Sequence, residues 1–140
     1  MRLLQYGVKG VNNMTLKMYE IVDFPSFFEK VRNQKLSFKT SYRLTILAGE
    51  IEKHINFYQE NFRNILTEYG QKDENGNLVQ TDDGQGIKII EDKIDECNAK
   101  IIELRNLDVE LPDIKFSIDD FGDIALTPME VYIIKPFIAE

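Results

Sequence analysis

One run dominates the chain: Leu44, Leu47, Ile51, Ile55, Tyr58, Phe62, Ile65 and Tyr69 follow one another at spacings of three or four residues. An α-helix turns once every 3.6 residues, so this spacing sets all eight side chains along one side. It predicts a single helix over 39–69, on the order of 45 Å long at about 1.5 Å per residue. The opposite side reads polar, through Glu52, Lys53, Asn56, Gln59, Glu60, Arg63, Asn64 and Thr67. A narrow apolar stripe on so long a helix has to be met by something comparable, later in the chain or on another subunit. Gly49, inside the span, costs roughly 1 kcal/mol against alanine and marks a close crossing or a slight bend. Gly70 stops the helix as a C-cap.

The remaining elements are arranged around that helix. Ile94, Cys97, Ile101 and Leu104 predict a second helix over 92–107, capped by Asp92 and about half as long. It returns antiparallel from the C-terminal end of the first. Between them, 71–90 is acidic and glycine-rich, with turn signals at Asn75-Gly76 and at Asp82 to Gly86. This stretch reads as a small, exposed hairpin or two-turn loop, a β-hairpin-like tip. Before the long helix, 16–22 reads as a strand. A brief helix follows over 25–33, capped by Asp23 or Ser26 with Glu29, and it turns Phe24, Phe27, Phe28 and Val31 to the core.

Past the second helix, Val109 and Leu111 alternate with polar residues, as do Ile114, Phe116 and Ile118. That is a strand pattern interrupted by Pro112, and it is suited to pair with 16–22. Thr127, Pro128 and Glu130 open a last short helix whose Val131, Ile134, Phe137 and Ile138 face inward, with Pro136 limiting it. The expected fold class is α+β, mainly α. It is a long antiparallel helical hairpin with a β-hairpin-like tip, short flanking helices and a minor sheet joining the ends.

Residues 14–140 are expected to be one domain, and 1–13 a non-native or disordered leader. The leader holds two basic residues and no acid, whereas the rest of the chain is acidic. Lys9 to Met14 can also be encoded by a purine-rich ribosome-binding site set at a normal distance before a start codon.

Charge and composition remove several function classes. The 140 residues carry 17 Lys and Arg against 24 Asp and Glu, a net charge of -7. Phosphate-backbone binding needs clustered basic charge, so no nucleic-acid partner is expected. No apolar stretch approaches the roughly 18 residues of a membrane span. The single cysteine, Cys97, excludes an internal disulfide, and the single histidine, His54, excludes a two-histidine metal motif.

The residues with chemical potential each have an ordinary reading. Asp119, Asp120 and Asp123 with Glu130 form the one acidic grouping that could serve a metal-dependent hydrolase or nuclease. Their spacing fits no calcium-loop template, and solvated turn acids account for them. His54 lies beside the stripe as a helix histidine, and Cys97 as a small core hydrophobe. Lys30, Arg32, Lys35, Lys39 and Arg43 form a basic cluster that is surface charge or a docking patch for an acidic protein. No catalytic residue, metal ligand or cofactor is assigned.

The runs Lys35-Leu36, Tyr69-Gly70, Asp73-Glu74-Asn75-Gly76, Asp83-Gly84-Gln85-Gly86, Val109-Glu110-Leu111-Pro112 and Leu126-Thr127-Pro128 carry a resemblance. Across residues 17–140 the chain resembles a family of small uncharacterised proteins of tailed siphophages and Gram-positive prophages, catalogued as a domain of unknown function. The resemblance implies a phage setting: the cytoplasm of an infected or lysogenic bacterium, or the virion. It brings no catalytic residues.

The expected function is a non-enzymatic phage interaction protein, an assembly or structural accessory factor acting through a long helix face. The alternative is an inhibitor of a host or bacterial defence protein. Partners are a phage protein, a host protein or a second copy of the chain. Expected contact residues are Phe57, Tyr58, Glu60 and Asn64 on the long helix and Asn75 and Gly76 at the tip. Phe57 and Leu66 widen the main stripe.

Overall fold

In the computed structural model, which describes residues 12–139, the elements run β1 (Asn13–Lys17), α1 (Phe24–Val31), α2 (Phe38–Tyr69), α3 (Ile94–Arg105), β2 (Asp108–Pro112) and α4 (Pro128–Ile134). Short 3-10 turns occupy Met18–Glu20, Glu91–Lys93, Ile118–Phe121 and Lys135–Phe137. The fold is α+β and mainly helical, with one long helix packed against a shorter one and, among the described residues, one two-stranded antiparallel sheet. The chain divides into two compact units. Residues up to Ile55 join those from Asp108 onward, and Asn56–Leu107 form the second unit.

The first unit ties together distant parts of the chain. β1 pairs with β2 in the register Asn13↔Pro112, Thr15↔Glu110 and Lys17↔Asp108. The Asp113 N–H donates to the Asn12 carbonyl at 2.8 Å. By the alternation of an antiparallel ladder, Met14 and Leu16 then occupy hydrogen-bonded pairs, and Asn13, Thr15 and Lys17 the others. Pro112 therefore faces Asn13 where no ladder N–H is needed, which is why a proline is tolerated there. One face of the pair buries Val109 and Leu111. The other carries the Thr15–Glu110 hydrogen bond and the Lys17–Asp108 ion pair.

The sheet differs from the sequence reading in its limits. The first strand starts at Asn13 and gives way at Met18 to a 3-10 turn, so 18–22 is not strand. Within 114–118 only Phe116 pairs, in a parallel bridge with Ile138. Asn13, the last residue of the suspected leader, belongs to β1, while 1–11 lie outside the described residues.

The first unit also holds an aromatic core. Phe24, Phe27, Phe116, Phe121 and Phe137 are all buried. Phe27 meets Phe121 edge-on at 5.7 Å and Phe24 meets Phe137 edge-on at 5.8 Å, the arrangement that ring quadrupoles favour. From α2, Leu44, Leu47, Ile51 and Ile55 are buried. α1 begins with proline in its first turn but without a side-chain cap from Asp23; the Ser26 hydroxyl donates to the Asp23 carbonyl instead. α4 has the expected box, with the Thr127 hydroxyl accepting from the Glu130 N–H at 3.2 Å and Glu130 accepting from the Thr127 N–H at 2.7 Å. Its buried residues are Ile133 and Ile134, whereas Val131, expected inside, is exposed. In so short a helix a one-residue change of phase moves a side chain by about 100°.

Glu130 also pins α4 to α1. Lys30 donates to its carboxylate and to the Ala125 carbonyl, both at 2.7 Å. The Lys30 ammonium first, then the Thr127 N–H, holds the Glu130 carboxyl below its ordinary value of 4.5. A depressed carboxyl stabilises the fold above its ordinary pKa, and that contribution disappears as pH falls through the folded value. Glu130→Gln keeps an amide able to cap Thr127 and loses the charge. Its stability deficit against the parent should be constant near neutrality and shrink to nothing in acid, as read by urea unfolding at stepped pH.

The second unit is continuous in sequence. Tyr69, at the end of α2, is buried, and so are Cys97 and Leu104 of α3. Tyr58 and Phe62 are half-buried and pack ring on ring at 5.8 Å. Ile94, expected in the α3 stripe, is exposed, and Asp92 is not the cap; it lies in the 3-10 turn that leads into the helix. That extra turn shifts the helix start past Asp92 and rotates Ile94 outward.

Between the two helices the tip is a closed ring rather than one hairpin. The Gln71 N–H donates to the Lys88 carbonyl, Lys88 to Val79, and Val79 back to Gln71, at 2.8, 2.8 and 3.0 Å. Three short segments thus satisfy one another's backbone groups. The turns joining them are built by aspartates. The Asp73 carboxylate accepts the N–H groups of Asn75 and Asn77, both at 2.9 Å. The Asp83 carboxylate accepts from Gln85 at 3.0 Å and from the Thr81 hydroxyl. The Thr81 hydroxyl, then the Gln85 N–H, holds the Asp83 carboxyl below its ordinary range. Gly76, at φ 84°, occupies a conformation that a side chain would strain.

Candidate docking surface

The helical period that buries one side of α2 fixes what its other side presents. At about 100° per residue, Phe38, Tyr42, Ile46 and Gly49 fall on the side opposite Leu44, Leu47 and Ile51. Phe38 is 89% exposed, Tyr42 59% and Ile46 38%, three large apolar side chains on consecutive turns. A Cβ added to Gly49 would meet nothing within 4 Å, so the helix backbone there is open to close approach. Scattered apolar residues are ordinary on a protein surface, but a continuous row is the usual mark of a contact site.

The charges beside this row are fewer than the sequence suggests. Of the basic cluster, Lys30 is held by Glu130, and Arg32 pairs with Glu29 at 3.2 Å. Arg43 donates to the Lys115 carbonyl and lies over the Phe116 ring at 5.2 Å, a structural cation–π contact. Lys35 and Lys39 remain exposed, with no carboxylate within 4.0 Å among the described residues. The cluster is therefore mostly part of the scaffold, with two cations unpaired among the described residues near the start of the apolar row.

The contact residues named from sequence lie in the second unit. Phe57 is 48% exposed, Glu60 and Asn64 are exposed, and Tyr58 is half-buried against Phe62. Asn75 and Gly76 lie exposed in the first turn of the tip. Phe57 and Glu60 are both solvent-facing on α2, whereas Tyr58 is partly used in packing. Leu66, expected to widen the stripe, is half-buried.

The acidic grouping considered for metal chemistry is not assembled. Asp120 accepts from the Ser117 N–H at 2.8 Å as part of a capping box, and Glu130 is engaged by Lys30. Among the described residues, no three His, Cys, Asp or Glu side chains are placed to hold a metal ion. His54 is half-buried on α2. Burial pushes the Cys97 thiol up, so at neutral pH it stays protonated and a poor nucleophile. No described helix is long and apolar enough to cross a membrane.

Sequence pattern could have found the row. Phe38, Tyr42 and Ile46 recur every four residues, but the stronger stripe that begins at Leu44 masks them. Comparison with family models, with curated proteins and with solved structures returns no match.

Proposed function

We propose that this is a non-catalytic docking protein, an assembly or structural accessory factor of a tailed phage or prophage that holds a partner's helix along the outward face of α2. The phage setting rests on the sequence resemblance, and places its work inside an infected or lysogenic cell. The docking role is supported by one observation above all: Phe38, Tyr42 and Ile46 are exposed on consecutive turns of a helix whose opposite side buries Leu44, Leu47 and Ile51. A helix laid in such a row contributes its own residues at spacings of three, four and seven. Lys35 and Lys39 favour a partner that carries acids beside its apolar residues.

The test is capture from infected lysate with the parent chain and with the pair of substitutions Phe38→Glu and Tyr42→Glu. Removing two aromatic anchors should weaken capture of a phage structural protein at least tenfold. Both side chains are exposed, so the melting temperature should stay unchanged. Capture of phage proteins that survives the double substitution would refute the α2 face. Stoichiometric recovery of one host enzyme instead would replace the assembly role with inhibition.

A further inference from the structure

β1 uses only one of its two edges. β2 takes the first, and no other strand pairs with β1 among the described residues. The ladder's alternation points the backbone groups of Asn13, Thr15 and Lys17 away from β2. Lys17 confirms this parity, because its N–H is received by the Glu20 carboxylate at 2.8 Å rather than by β2. Asn13 and Thr15 are exposed, and their outward N–H and C=O groups are unpaired among the described residues.

A cavity of about 600 Å³ lies against this edge. Met14 and Leu16 line it from β1, and Pro136, Ile138 and Ala139 from the chain's C-terminal stretch. Val109 and Leu111 share a face with Met14 and Leu16 but take no part in the lining, so the cavity opens on the side of β1 away from β2. Its charge is uneven. Lys135 reaches it with no carboxylate within 4.0 Å among the described residues, whereas Lys115 reaches it with its ammonium held by the Pro136 carbonyl at 2.9 Å and 3.9 Å from the Asp113 carboxylate. The one acid in the lining, Glu20, accepts the Lys17 backbone N–H and keeps its charge.

We propose that this free edge and its cavity accept an extended, acidic segment of a partner protein as an added strand, antiparallel or parallel to β1. Main-chain bonds to Asn13 and Thr15 hold such a segment, and every second side chain enters the cavity. The volume lies within the ~300–1,000 Å³ of sites that enclose drug-sized ligands, enough for a pair of aliphatic side chains. Lys135, the lining cation with no carboxylate partner among the described residues, favours acids between those aliphatic positions in a chain of net charge -7. This site is separate from the α2 row and does not depend on it.

The probe is the synthetic peptide acetyl-Glu-Val-Glu-Val-Glu-Val-amide, titrated into the 15N-labelled full chain, with the lysine-for-glutamate peptide as its counterpart. The acidic peptide should shift the Asn13 and Thr15 amide resonances and slow Thr15 exchange about tenfold or more. Lys135→Glu should weaken binding about tenfold, and Phe38→Glu should leave it unchanged. Thr15→Pro removes an outward N–H that the β1–β2 ladder does not use, so it should abolish binding while the Leu16 amide stays protected. The proposal is overturned by any of three results: no shift at millimolar peptide, equal binding of the basic peptide, or a Thr15 amide already protected in the free chain. The last would mean that the chain covers its own edge.

Discussion

Replacing Phe27 with alanine should lower the unfolding free energy by about 3–5 kcal/mol, a large part of what holds a domain of this size together. Phe27 has no exposed surface and touches two further rings, Phe24 at 6.0 Å and Phe121 at 5.7 Å. Its removal opens a cavity between its own helix and the remote stretch around Phe121, which can only partly close in on it. Urea unfolding should show the midpoint moved with the slope preserved. Phe38→Ala is the matched control, since an 89% exposed ring should change stability by no more than about 0.5 kcal/mol. Equal effects at the two positions would mean that the aromatic cluster is not the core.

Gly70→Ala should be the most damaging small substitution in the second unit. A Cβ at Gly70 would lie 2.5 Å from the Leu66 carbonyl oxygen, 2.7 Å from Leu78 and 2.9 Å from Ile87. Side chains can move aside, but the carbonyl belongs to the last turn of α2 and already accepts the Gly70 N–H at 2.8 Å. Overpacking of this kind costs about 1–3 kcal/mol, and more when backbone is the obstacle. The damage should appear as faster amide exchange at Gln71, Val79 and Lys88, while Phe116 and Ala139 in the other unit keep their protection. Uniformly faster exchange across both units would show that they unfold together. Gly49→Ala should do the reverse, stabilising by about 0.5–1 kcal/mol, because the new methyl group meets nothing.

The parts of this fold that were legible in sequence are those whose cause is local. The α2 limits, Phe38 to Tyr69 against an expected 39–69, follow from a stripe repeated over many turns. The Thr127–Glu130 box follows from chemistry confined to four residues. What escaped depends on partners remote in sequence. The closed ring at Gln71, Val79 and Lys88 is made of backbone groups, which leave no pattern in side-chain type. Ile94 opens its helix and Val131 lies within one of only two turns, and there a single turn of different pitch decides which way a side chain faces. Lys30 and Arg43 read as free surface charge, because their partners Glu130 and Lys115 lie 100 and 72 residues away. The exposed α2 row was in plain view as a four-residue repeat, but only packing of the opposite side shows that it is left outside.

Thr15 and Glu110, bonded across the sheet, are 95 positions apart in the chain. During synthesis from the N-terminus, β1 leaves the ribosome long before β2 exists. At about 5–20 residues per second the first strand waits roughly 5–20 s, with both edges and its apolar face bare. The Asn56–Leu107 unit is contiguous and is finished within that interval. Nascent β1 is therefore open to a chaperone or a neighbouring polypeptide until β2 emerges to cover one of its edges.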